Sequence, residues 1–103
     1  MPLLTCYVKM MLRSFADKET ERVWQRRRSR MLDPKVQRAA LRKLAILDAA
    51  ETVEDLRVPP GNQLEKLNGD RVGQYSIRIN QQWRIRFEWT SAGPENVEIV
   101  DYH

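Results

Sequence analysis

From Tyr75 to Trp89 the side chains alternate between apolar and polar. Tyr75, Ile77 and Ile79, then Trp83, Ile85, Phe87 and Trp89, are separated by Ser76, Arg78, Arg84, Arg86 and Glu88. Successive side chains on a strand point to opposite faces, so a period of two marks strands with one dry face. The apolar rows define a core face, and Arg78, Asn80, Arg84, Arg86 and Glu88 fall on the other. Leu64 to Leu67 reads as a further strand, and the NGDRVG stretch at 68–73 as a turn. The TSAGPEN turn then leads into a last strand, Val97 to Tyr102. Strands in sequence order joined by short turns make an antiparallel meander.

The first half of the chain has a different period. Asp33 followed by Pro34 is a helix start, with a capping carboxylate and a proline at the first helical position. Val36, Ala40, Leu44 and Leu47 then recur at helical spacing, widened by Ala39, Ala45 and Ile46, with Lys35, Arg38, Arg42 and Lys43 facing outward. The helix is expected to end between Ala49 and Thr52, because RVPPGN at 57–62 enforces an extended segment and a turn. Upstream, Leu12 to Phe15 reads as a short strand or strand end. The run ADKETERVWQRRRSR reads as a first, partly exposed helix anchored by Val23 and Trp24, with Asp17, Glu19 and Glu21 as first-turn charges. The fold class is α+β, a meander sheet with two N-terminal helices packed on one face.

A chain of 103 residues with 42% hydrophobic and 31% charged residues is expected to be one soluble domain over 11–103. Residues 1–10 read as an extension, a start assigned too early or an added strand, and not as a signal peptide. A net charge of +4 favours an anionic partner. The single cysteine, Cys6, forms no internal disulfide and has no assigned function. The Cys and His residues have no zinc-ligand spacing, so neither metal nor cofactor is expected.

The polar face of the strands is the candidate site. By parity Glu98, Val100 and Tyr102 share it with Arg84 and Asn80, giving an open basic face with a phenol at its rim. Such a face suits splayed single-stranded RNA better than duplex DNA, by stacking and phosphate contact. It also suits metal-free RNA cleavage, in which fixed arginines neutralise the phosphate's growing charge while other groups move protons. The plainer reading pairs these arginines with acids such as Glu88 and Glu98. Likewise Arg26, Arg27, Arg28 and Arg30 are either a solvated, dipole-complementing helix end or a contact surface. Trp83 and Trp89 have core parity.

The GDR motif with a following Gly73, the S-I-R-I-N-x-x-W-R-I core at 76–85, the terminal DYH, and LDAA in the second helix resemble the HigB branch of the RelE/ParE toxin superfamily from about Met11 to His103. The resemblance implies a RelE-like fold and a type II toxin that acts as a ribosome-dependent endonuclease on mRNA in the ribosomal A site. It matches Arg84 to the arginine that holds the scissile phosphate and Tyr102 to the aromatic that orients the base. Asp101 and His103 match that aromatic's neighbours, with roles in proton transfer or positioning. Lys66, Asn68, Arg71, Arg78, Asn80 and Arg86 are the expected RNA contacts.

A HigA-like helix-turn-helix antitoxin is the implied partner, meeting the surface around Arg26 to Arg30. The ribosome and its mRNA are the other implied partners. Operator DNA would be bound only through the antitoxin, and the setting is cytoplasmic, with no membrane contact. Two departures stand out. Asn68 occupies the place of a lysine in many relatives, and Glu65 that of a histidine in some, so a proton-transfer group is expected to be lost at each and cleavage to be weak. The alternatives are a ParE-like gyrase inhibitor without a nuclease site, or a degenerate toxin that retains only antitoxin binding and operon control.

Overall fold

The computed structural model describes residues 12, 14–67 and 73–101. The expected extension 1–10 and the site residues Asn68, Arg71, Tyr102 and His103 lie outside them. Helix α1 is Lys18–Trp24 and helix α2 is Pro34–Ala49. The strands are β1 (Glu65–Lys66), β2 (Gln74–Arg78), β3 (Trp83–Thr90) and β4 (Gly93–Asp101), hydrogen-bonded in the order β1-β2-β3-β4. Each neighbouring pair is antiparallel, so the expected meander is present with two helices on its apolar face. Among the described residues no helix is long and apolar enough to cross a membrane.

Helix α1 is shorter than the polar run suggests. Asp17 caps it by accepting from the Thr20 amide at 2.7 Å, and Glu19 and Glu21 lie in its first turn. The chain leaves the helix at Arg26, whose φ of 64° is left-handed. The Arg26 amide donates to the Val23 carbonyl and the Arg27 amide to that of Arg22, the paired bonds of a Schellman ending. The Arg26 to Arg30 cluster is therefore not the last turn of a helix, as expected, but the connection between the helices.

That connection is stitched down by its small polar residues. Buried Ser29 donates from Oγ to Glu19 and accepts from the amides of Met31 and Leu32. Its own amide donates to the side chain of Gln37, which donates in turn to the Arg27 carbonyl. The four arginines are left exposed on a fixed loop.

Asp33 caps α2 as expected, accepting from the Val36 amide at 2.9 Å, with Pro34 in the first turn. Ala40, Leu44 and Leu47 are fully buried. Two expectations fail here. Ala45 is exposed, and Lys43 does not simply face outward but donates from Nζ to Asn62 Oδ1 at 2.6 Å. The segment after α2 forms two 3-10 turns, Val53–Arg57 and Pro60–Asn62, with Val58 and Pro59 between them extended as expected. Leu56 of the first turn joins the core.

The core lies between α2 and the sheet, built from Leu44, Leu47, Leu56, Ile77, Ile85 and Phe87 with Val23 and Val97. Tyr75, Trp83 and Trp89 pack against it, which bears out their parity. The outer edge of β4 is covered, as strand edges in stable sheets usually are. Phe15 forms a parallel bridge with Val97, and the Ile99 amide donates to Thr20 Oγ1 of α1 at 2.9 Å.

Asp33→Ala removes the side-chain acceptor that caps α2 and is expected to lower stability by about 1 kcal/mol in urea unfolding, with an unchanged m-value.

Candidate active site

Arg84 sits mid-sheet on β3, cross-strand from Arg78 on β2 and Val100 on β4. Its parity is as expected, but its exposure is not. Far from lying on an open face, it is 4% exposed, beside Ser76 at 3%. The reason is the segment leading into β1, which folds over this part of the sheet. Arg84 Nε donates to Ser76 Oγ at 2.8 Å, and Nη2 donates to the carbonyls of Ser76 and Gln63. Nη1 lies 4.0 Å from Oε2 of Glu65. A buried guanidinium needs such partners, because an uncompensated cation away from water is far more costly than a neutral polar group.

Beside this guanidinium is a cleft of about 320 Å³ lined by Gln63, Glu65, Arg78, Asn80, Gln81 and Arg84. The structure thus brings together Arg84, Arg78 and Asn80 of the expected set. Asn80 also has a local task, since its Oδ1 accepts from the amides of Gln82 and Trp83, both at 2.8 Å, and so shapes the turn between β2 and β3. Arg78 Nε donates to the Asn80 carbonyl at 3.0 Å. The cleft therefore holds two guanidinium groups and one carboxylate on a hydrogen-bonded frame.

Three other expected residues are placed elsewhere. Lys66 is paired with Tyr75 and shares its face, while its neighbour Glu65, paired with Ser76, takes the Arg84 side. Arg86 is ion-paired with Glu98 and lines a separate hollow with Gln74 and Glu88, as the plainer reading of the sheet arginines held. Asp101 pairs with Trp83, giving it the parity opposite to Arg84; it is exposed and accepts from Gln82 Nε2 at 3.1 Å. It stands at the strand end, directly before Tyr102 and His103.

Gln63, Ser76 and Gln81 were not singled out from sequence. Ser76 carried a signal: a small hydroxyl two places before Arg78 on the same face, diagonal to Arg84. Gln63 carried none, because it contributes its backbone carbonyl. Glu65 needs a correction of another kind. Read as the loss of a proton-transfer group, it in fact places a carboxylate in the cleft, and a carboxylate can itself accept a proton. Among the described residues no group of three or more His, Cys, Asp or Glu side chains gathers as a metal site would require.

The basic connection forms a second concavity. Arg26 and Arg28 line a groove of about 410 Å³ with Pro34, Gln37, Arg38 and Leu41. Arg27 lies in a smaller hollow with Lys18, Glu21, Arg22 and Gln25. Neither shares a residue with the Arg84 cleft.

The four-stranded antiparallel meander backed by two helices matches the fold of a RelE/YoeB-like toxin. The fold is similar to that of a YoeB/ParE toxin from Agrobacterium tumefaciens, with a TM-score of 0.50 at 21% identity, covering 91% of this chain and 99% of that one. Residues 13–103 match the family described as the RelE-like toxin of type II toxin-antitoxin system HigB, and the chain belongs to that family. It is 44% identical to Toxin HigB-1 of Vibrio cholerae serotype O1 over 79 residues, which are 76% of this chain and 83% of that protein. An uncharacterized protein of Haemophilus influenzae is 39% identical over 58 residues, 56% of this chain and 57% of its own length. The protein is a HigB-like toxin of a type II toxin-antitoxin module.

Ser76→Ala leaves the buried Arg84 Nε without its hydroxyl acceptor and is expected to cost about 1–3 kcal/mol in urea unfolding. Glu98→Gln, which weakens a partly exposed pair, is expected to cost less than about 1 kcal/mol in the same assay.

Proposed function

We propose that this toxin is a ribosome-dependent endoribonuclease that cuts translated mRNA in the A site and so inhibits translation, a mild enzyme of the kind of the toxin GraT. The observation that carries the reading is the fixed Arg84 guanidinium in a cleft that also holds the Glu65 carboxylate. Cleavage without a metal requires the 2'-hydroxyl to lose a proton, the attacked phosphate to have its growing charge balanced, and the 5'-oxygen to leave with a proton. Arg84, with Arg78 beside it, supplies the charge. Glu65 is the carboxylate within reach of the cleft that can take the hydroxyl proton.

Tyr102 is assigned to orienting the base, and His103 and Asp101 to positioning or to returning a proton. Asn68 and Arg71 complete the RNA contacts, and Asn68, which carries no charge, is the reason for a weak activity. The ribosome presents the codon and orients its backbone, which lets so sparse a site act.

The partner proposed for this toxin is a HigA-like antitoxin with a helix-turn-helix domain. It would meet the exposed Arg26, Arg27, Arg28 and Arg30, with operator DNA bound through the antitoxin and the module working in the cytoplasm. Electrostatic attraction at such a surface speeds association more than it raises affinity.

Primer extension on mRNA in translating extracts tests the reading. Cuts confined to A-site codons, present only with ribosomes and lost in Arg84→Ala and Tyr102→Ala, are expected. Cutting without ribosomes, or an absence of cutting by the wild type in any condition, would sink it. Glu65→Gln is expected to slow cleavage by about 100-fold or more.

A further inference from the structure

Asn62 is fully buried, and both ends of its side chain are used. Nδ2 donates to the carbonyls of Leu56 at 3.0 Å and Val58 at 3.3 Å, while Oδ1 accepts from Lys43 Nζ of α2 at 2.6 Å. An apolar side chain of the same size would make none of these bonds, so burial alone does not account for an asparagine here. The next residue, Gln63, has φ 44° and ψ 58°, a left-handed conformation that is strained for a residue with a Cβ and must be held by its surroundings. It is the Gln63 carbonyl that receives Arg84 Nη2. Two residues further on, Glu65 enters the cleft.

We propose that Asn62, latched by Lys43, is a positioning residue for Arg84: the latch fixes the Gln63 carbonyl, and that carbonyl sets the orientation of the guanidinium in the cleft. The inference rests on the reading of Arg84 as the phosphate-binding group. Arg84 is gripped from two sides. Ser76 holds it from the sheet through two bonds, and Gln63 holds it from the loop. The latch governs only the second grip and ties it to α2, the helix that supplies Leu44 and Leu47 to the core.

The surroundings of Lys43 agree. Its ammonium is held below the usual lysine range by burial first, then by Arg42 and by Arg78. Arg78, one of the charges that Lys43 feels, also lines the Arg84 cleft. A lysine placed there despite nearby like charge is matched to the neutral acceptor that Asn62 offers it.

The test uses the full chain and the half-buried partner, since Asn62 itself is deep enough that its replacement could unfold the protein. In Lys43→Met the bonds from Asn62 to Leu56 and Val58 remain. Solvent exchange of the Arg84 Nη2 protons, which include the one donated to the Gln63 carbonyl, followed by NMR in the isolated protein, is expected to speed up by about tenfold or more. The single-turnover rate on ribosome-bound mRNA is expected to fall by about tenfold, with the half-saturating ribosome concentration unchanged. Lys43→Arg, which can still donate to Asn62, is expected to restore both.

Wild-type exchange in Lys43→Met overturns the proposal. So does a loss that Lys43→Arg does not restore, because it would reflect the ammonium itself rather than the latch. The exchange measurement needs no nuclease activity, so a wild type that cuts nothing refutes the endonuclease reading while the latch is still judged by exchange.

Discussion

The desolvation of one guanidinium organises this small protein. A cation taken out of water in the middle of a sheet has to be met by oxygen atoms with good geometry, and here they come from two directions. Ser76 on the neighbouring strand provides a hydroxyl and a carbonyl, and the turn before β1 provides the Gln63 carbonyl. These needs explain features that otherwise look unrelated: a serine at an interior sheet position, a glutamine in a left-handed conformation, and a fully buried asparagine bonded to a lysine of α2. Each fixes an acceptor or fixes the segment that carries one.

A guanidinium held in this way suits phosphoryl chemistry because its orientation is set before substrate arrives. Electrostatic stabilisation is most effective when the charges need not reorganise as the transition state forms. The cleft is also economical. Two arginines and a carboxylate line it, the meander supplies its floor, and the turn shaped by Asn80 supplies one wall. An exposed basic connection lies elsewhere on the surface, and the groove it lines shares no residue with this cleft.

How much of this was legible in the sequence depends on whether a residue acts by pattern or by contact. The strands, the capped second helix and the dry faces could be read because alternation and helical spacing are local. Arg84 was placed on the correct face for the same reason. Its burial was not legible, because what covers it is the backbone of a turn distant in sequence, and Gln63 contributes a carbonyl that every residue possesses. The end of α1 was misplaced because Arg26 adopts a left-handed ending that glycine usually signals. Lys43 was read as solvent-facing from the helical period, which cannot foresee a single buried acceptor nearby. Lys66 and Glu65 show how little separates the alternatives, since one step in register decides which of them meets Arg84.

The central claim is that the fixed Arg84 guanidinium stabilises the charge that develops on a cleaved phosphate. It is tested most directly by the single-turnover rate for ribosome-bound mRNA in Arg84→Lys, which keeps the positive charge but loses the planar, multiply bonded geometry. The account requires a fall of at least about 100-fold at saturating ribosomes with little change in binding. A rate within a few-fold of wild type would contradict it, since any cation at that position would then suffice and the buried frame around Arg84 would serve the fold alone.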